Sequence, residues 1–160
     1  KFLLTIPGVT DDIKVYMFKT KGFFTDLTIG EGITEIKDYA FNNRIDPLKI
    51  LPEIIELIPF AFSHLFSVKF GDELETVGKY AFYDNVSLTN VVGGANLKSV
   101  GSEAFAEGRS LTSVDFSHSY DLEEVKADAF YGCHSLSYLS LPPGIWNTRW
   151  NLLVFDIAVP

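Results

Sequence analysis

The residues best suited to chemistry in this 160-residue chain are three histidines and one cysteine. His64, His118 and His134 carry imidazole groups of the kind used in metal sites and in proton transfer, and Cys133 carries a thiol that can act as a nucleophile. Either kind of site requires the side chains to come together in the fold. His134 directly follows Cys133, but neighbouring residues in a turn usually point apart. Whether the other groups converge depends on the elements that carry them.

Three further motifs could bind or carry a ligand. Asn85-Val-Ser87 matches the glycosylation sequon. The carboxylate clusters at 72–75 and 121–124 are interrupted by apolar residues, whereas a calcium loop needs a denser run of oxygen ligands with a glycine at the sharp turn. Gly93-Gly94 precedes no helix long enough to bind phosphate. We therefore expect no catalytic residues, no metal site and no cofactor.

Composition excludes several classes of protein. A net charge of −8 and a pI near 4.8 argue against binding to nucleic acid or to an anionic membrane surface, which require a basic face. At 47% hydrophobic residues the chain is not disordered, and its apolar runs are far shorter than the roughly 20 residues of a membrane span. A single cysteine excludes an internal disulfide framework and a cysteine-based zinc site.

The chain is built from a repeated unit whose clearest mark is an Ala-Phe pair. Successive phenylalanines of these pairs, counted from the degenerate Met17-Phe18, are 23, 21, 20, 23 and 25 residues apart. A repeat of this length is typical of a solenoid, in which each unit buries its apolar face against its neighbours. The pattern predicts one buried column of phenylalanine rings, formed by Phe41, Phe62, Phe82, Phe105 and Phe130.

Each unit also contains the pattern L-x-x-(V/L)-x-(I/L/F), whose period of two predicts a short strand with one buried face. The apolar pairs are Leu27/Ile29, Leu48/Ile50, Val68/Phe70, Val114/Phe116 and Leu139/Leu141, with Leu4/Ile6 ahead of them; in the remaining unit Val91 is followed by Gly93. A second short extended piece and one helical or 3₁₀ turn lead to the Ala-Phe pair. Since stacked strands lie about 5 Å apart, His64 and His134, about three turns apart, are too distant to share a metal.

Two segments show which repeat class this is: residues 131–142 read YGCHSLSYLSLP and residues 77–88 read VGKYAFYDNVSL. They resemble the BspA-like class of leucine-rich repeats, and the resemblance covers roughly residues 1 to 145. It implies a right-handed α/β, mostly β, superhelix with a parallel sheet on one face and short strand, 3₁₀ or helical turns on the other. Members of the class are typically bacterial surface or secreted proteins, many of them called adhesins, which implies an extracellular or cell-surface location. Cys133 and Asn85 occupy the same position of the repeat, where we expect the side chain to turn inward and bond the turn backbone.

We expect a single domain over residues 1–160 with about six to seven turns. Residues 1–23 form a degenerate first repeat, 24–141 the regular repeats, and 142–160 an irregular end. Two interpretations of that end remain open: a cap built around Trp146 and Trp150 with a closing strand over 154–159, or the start of a further repeat. In the second case exposed strand edges favour self-association. No signal peptide is recognisable, which a removed signal and a trimmed start explain equally well.

The residues that alternate with the buried pairs should lie on the solvent side of the parallel sheet, which we call the sheet face. Solenoids usually bind partners on such a surface. The sequence therefore predicts a non-enzymatic binding or adhesion module for a host protein or glycan; the alternative is a structural spacer or assembly segment of a longer array with no ligand of its own. The candidate ligand-binding residues are Asp26, Thr28, Lys49, Ser67, Lys69, Asn90, Ser113, Asp115, Tyr138 and Ser140.

Overall fold

The structure is a computed structural model that describes residues 3–6 (backbone only), 25–30, 32–36, 38–42, 65–143 and 145. The described ranges contain ten short strands and no α-helix. The strands are β1 Leu3–Ile6, β2 Asp26–Ile29, β3 Glu35–Ile36, β4 Ser67–Lys69, β5 Thr76–Val77, β6 Asn90–Val92, β7 Ser99–Val100, β8 Ser113–Asp115, β9 Glu124–Val125 and β10 Tyr138–Ser140.

The strands form two parallel sheets between which the chain alternates. The first sheet has the order β1-β2-β4-β6-β8-β10, and the second has the order β3-β5-β7-β9. From β2 onward each complete turn therefore supplies one strand to the first sheet and then one to the second. The predicted solenoid, with a parallel sheet along one side, is confirmed.

The segment before each phenylalanine is a tight turn rather than a helix. The residue two places before the phenylalanine has a left-handed backbone in each described turn, with φ of 62° at Tyr39, 55° at Tyr80, 53° at Glu103 and 59° at Asp128. A left-handed residue ends a right-handed helix at once. The freed N–H groups bond to the following turn, as when Phe82 N–H donates to Ala104 O at 2.7 Å. These bonds link successive turns outside the two sheets.

A column of stacked phenylalanine rings runs through the interior. Phe41 stacks on Phe82 with 5.0 Å between ring centroids, Phe82 on Phe105 with 5.2 Å, and Phe105 on Phe130 with 5.5 Å. All four side chains are buried, and the alanine before each one is buried too. Phe41 contacts Phe82 directly, and Phe62, which was also predicted in this column, lies outside the described residues.

The step from β2 to β4 is longer than the other steps of the first sheet. Asp26 lies opposite Ser67, a step of 41 residues, whereas β4, β6 and β8 follow one another at steps of 23. The strand predicted at Leu48/Ile50 lies outside the described residues.

Other expectations fall outside the described residues. They include the terminal segment with Trp146 and Trp150, the closing strand over 154–159, and residues 43–64. The division of the chain into a degenerate first repeat, regular repeats and an irregular end stays a prediction. No helix in the described ranges is long and apolar enough to cross a membrane.

Candidate binding surface

The structure arranges the sheet face as two rows of side chains in continuous register. Nine of the ten candidate residues belong to these rows, and the tenth, Lys49, lies outside the described residues. The first row consists of Asp26, Ser67, Asn90, Ser113 and Tyr138, and the second of Thr28, Lys69, Val92, Asp115 and Ser140.

The two rows exist because side chains alternate along each strand. The central residue of each strand points inward, and Val68, Val91 and Val114 are at most 1% exposed. Their neighbours on either side are therefore directed to solvent. Tyr138 is the large side chain of the first row, with 51% of its surface exposed, and Lys69 is exposed in the second row. The face combines small polar groups with a few larger anchors.

The carboxylates of the face are held by hydroxyl groups. Asp26 accepts hydrogen bonds from the hydroxyls of Ser67, on the next strand, and of Thr25 at 2.9 Å. Asp115 accepts the N–H of Ser117 at 2.9 Å. The side-chain and backbone hydrogen bonds from Ser117 hold the pKa of Asp115 below its ordinary value. Hydrogen bonds thus orient both carboxylates, and Asp115 is charged at neutral pH.

A second set of polar groups runs beside the face, at the residue before each strand. Thr89 Oγ donates to the carbonyl of Phe66 at 2.9 Å, Thr112 Oγ to the carbonyl of Thr89 at 3.0 Å, and Ser137 Oγ to the carbonyl of Thr112 at 3.3 Å. We call Thr89, Thr112 and Ser137 the hydroxyl ladder. The sequence analysis missed these residues because they lie one position outside the alternating pattern.

Phe66 occupies the ladder position one turn before Thr89, and it is 45% exposed. Comparison of the units in sequence could have shown this difference, because the same position carries Thr or Ser in the next three turns. Exposed aromatic side chains therefore lie just before β4, at Phe66, and at the start of β10, at Tyr138.

The repeat can now be compared with known proteins. A family model for the BspA type leucine rich repeat region matches residues 48–151 in six copies, more than half of the chain. The chain belongs to the BspA-type leucine-rich repeat family. Comparison with curated proteins finds no significant match.

Among solved structures, this leucine-rich repeat chain is similar to a leucine-rich cell surface protein from Faecalibacterium prausnitzii. The two are 25% identical with a TM-score of 0.45. The match covers 78% of this chain and 38% of that protein, so the chain spans well under half of its length.

Within the leucine-rich repeat fold, Cys133 and Asn85 have the inward positions predicted for them. Cys133 is 4% exposed, and its thiol donates to the carbonyl of Phe105 at 3.2 Å. Burial raises the pKa of the thiol to about 12, so it stays protonated and is a poor nucleophile. Asn85 is fully buried, and its Nδ2 donates to the carbonyl of Phe41 at 2.8 Å, which leaves no room for an attached sugar.

Two of the three histidines lie in the described ranges. His118 contacts Ser117 at 3.1 Å and the ring of Tyr120, and His134 is exposed, whereas His64 lies outside the described residues. No group of three potential metal ligands occurs among the described residues.

A cluster of tyrosines on the turn side was not predicted. Tyr39 stacks on Tyr80 with 5.0 Å between centroids, and Tyr83 packs edge-on against Tyr80 at 5.4 Å. The Tyr80 hydroxyl donates to Glu103 of the next turn at 2.6 Å. This hydrogen bond is the main cause of the rise in the Tyr80 pKa to about 12. The sequence places tyrosine at equivalent positions of two units, Tyr39 and Tyr80. Their stacking was not predictable from this, because it requires the two units to form adjacent turns.

Proposed function

We propose that the chain is a non-enzymatic binding or adhesion module of a cell-surface or secreted protein, and that it holds a host protein or glycan on the sheet face. Membership of the leucine-rich repeat family supports a binding scaffold. The observation that carries the proposal is the register of the two rows, which continues across β2, β4, β6, β8 and β10.

Continuous register matters because it lowers the conformational entropy that is lost when a ligand orders the surface. Every strand of the face is hydrogen-bonded to its neighbours, and Asp26, Ser67 and Asp115 are already held by hydrogen bonds. A surface that is ordered before binding leaves more of the interaction energy for affinity. Tyr138 and Lys69 supply the aromatic and charged anchors that usually contribute most at an interface.

The test compares two double variants of the chain. Tyr138→Ala with Lys69→Ala removes both anchors from the face. Tyr131→Ala with Lys126→Ala makes the same changes on the other side, where Tyr131 is 53% exposed. Binding is measured on arrays of extracellular matrix proteins and glycans. We expect the first variant to lose binding and the second to retain it, with melting temperatures close to that of the parent, since surface changes rarely alter stability by more than about 0.5 kcal/mol.

Two results would contradict the proposal. If the parent binds nothing on the arrays, the structural spacer becomes the better explanation. If both double variants lose binding equally, the sheet face is not the site.

A further inference from the structure

We propose that the sheet face binds a neutral, hydroxyl-rich carbohydrate chain that lies across the strands and donates hydrogen bonds to the hydroxyl ladder. This inference rests on the proposed function and goes further by naming the class of ligand. It follows from the direction of the hydrogen bonds at the edge of the face.

The ladder hydroxyls can only accept further hydrogen bonds. A hydroxyl group has one proton and two lone pairs. Thr89, Thr112 and Ser137 each direct that proton to a carbonyl oxygen of the preceding turn. A carbonyl has no proton to give in return, so the hydroxyl is the donor in each case. Their oxygens therefore form a row of acceptors at the spacing of neighbouring strands, about 4.8 Å.

The adjacent part of the face has the same polarity. Ser67 uses its proton on the carboxylate of Asp26, so its oxygen is also an acceptor. Asp26 and Asp115 are acceptors in their ionised form. A ligand on this surface must supply hydrogen-bond donors. Sulfate, phosphate and carboxylate groups supply none, and a chain with a net charge of −8 repels them.

The charges of the face favour a neutral donor over a basic peptide. Lys69 is exposed in the second row, between Thr28 and Val92 in the register. A lysine or arginine laid across the strands would meet this ammonium group. The carboxylates that could compensate already accept hydrogen bonds within the protein. Sugar hydroxyls can donate to the ladder and also accept from Lys69, which a cationic side chain cannot do.

The aromatic side chains indicate how a carbohydrate would lie. Phe66 precedes β4 and Tyr138 begins β10, three strand steps away, or roughly 14 Å. Both rings are about half exposed. Aromatic rings present flat apolar surfaces with a polar quadrupole, on which the C–H face of a sugar ring can stack. The ladder residues Thr89 and Thr112 lie between these two rings, so one sugar chain can reach the rings and the acceptors together.

The experiment titrates the full chain with defined probes by isothermal calorimetry. The probes are neutral hexasaccharides of several linkages, the same hexasaccharides bearing sulfate groups, and a lysine-rich peptide of similar length. We expect at least one neutral hexasaccharide to bind, and its sulfated form and the peptide to bind at least about tenfold more weakly. The loss of one hydrogen bond in Thr112→Val should weaken sugar binding about fivefold.

Two control variants isolate the hydroxyl. Thr112→Ser retains it and should bind within about twofold of the parent, since the number of hydrogen bonds is unchanged. Thr76→Val makes the same substitution on β5 of the second sheet and should leave binding unchanged. Thermal melts check that each variant is folded.

Several outcomes would overturn the inference. They are a sulfated hexasaccharide that binds as tightly as the neutral one, no binding of any neutral hexasaccharide, or sugar binding that Thr112→Val does not weaken. If the lysine-rich peptide binds the parent and the Tyr138 and Lys69 double variant loses that binding, the carbohydrate inference is refuted. The proposal of a binding module is then retained. The two proposals therefore fail separately.

Discussion

Replacing Phe82 by alanine tests whether the phenylalanine column holds the solenoid together. Phe82 is fully buried, stacked between Phe41 at 5.0 Å and Phe105 at 5.2 Å, and in tilted contact with Phe70 at 6.0 Å. Truncation of a buried phenylalanine costs about 3–5 kcal/mol. The loss of two stacked partners, each about 0.5–1.5 kcal/mol, places Phe82→Ala near the upper end, at about 5 kcal/mol.

The assay is a thermal melt followed by circular dichroism. For a domain of this size about 1 kcal/mol shifts the melting temperature by about 2–4 °C, so Phe82→Ala should lower it by about 10–20 °C. Because the units of a solenoid are coupled to their neighbours, the loss at this central ring should affect both sides of the stack.

Phe66→Ala is the matched control, since it is the same substitution at a ring that is 45% exposed. Half burial of an apolar side chain contributes about 1 kcal/mol, so the control should lower the melting temperature by a few degrees. A shift of only a degree or two for Phe82→Ala, or an equal shift for both variants, would refute the column as the main source of stability.

Two further predictions concern side chains in the turns. Cys133 should resist alkylation at pH 8 in the folded protein and react after denaturation, because burial keeps the thiol protonated; rapid labelling of the native chain would contradict this. In an absorbance titration, Tyr80 should ionise near pH 12, and Glu103→Gln should lower that pKa. Since the folded pKa exceeds the ordinary value of 10.0, the stability due to this hydrogen bond is complete below pH 10 and is lost between pH 10 and 12. An unchanged titration in Glu103→Gln would show that the bond is absent.

The sequence predicted the strands well where a local pattern determines them. The buried centres Val68, Val91 and Val114 and the exposed positions beside them follow from alternation along a strand, which needs no knowledge of neighbouring turns. Which strands become neighbours does not follow from such a local pattern, and the pairing of β2 with β4 across 41 residues was not predicted.

The candidate site was predicted in part for a similar reason. The sequence shows which residues point outward, so the two rows could be listed in advance. Which hydroxyls act only as acceptors toward a ligand could not be predicted, because Thr112 donates its proton within the protein only when the carbonyl of Thr89 lies beside it. The pairing of Tyr80 with Glu103 likewise joins residues 23 positions apart and depends on the register between turns.

The equal 23-residue step from β4 to β6 and from β6 to β8 also has a genetic consequence. Recombination between misaligned copies of such a gene adds or removes one whole unit. The new strands then meet the old ones in the same register, and each phenylalanine again meets a phenylalanine. Such an event changes the length of the surface without any compensating substitution. Natural selection can therefore adjust the reach of this protein in steps of one strand.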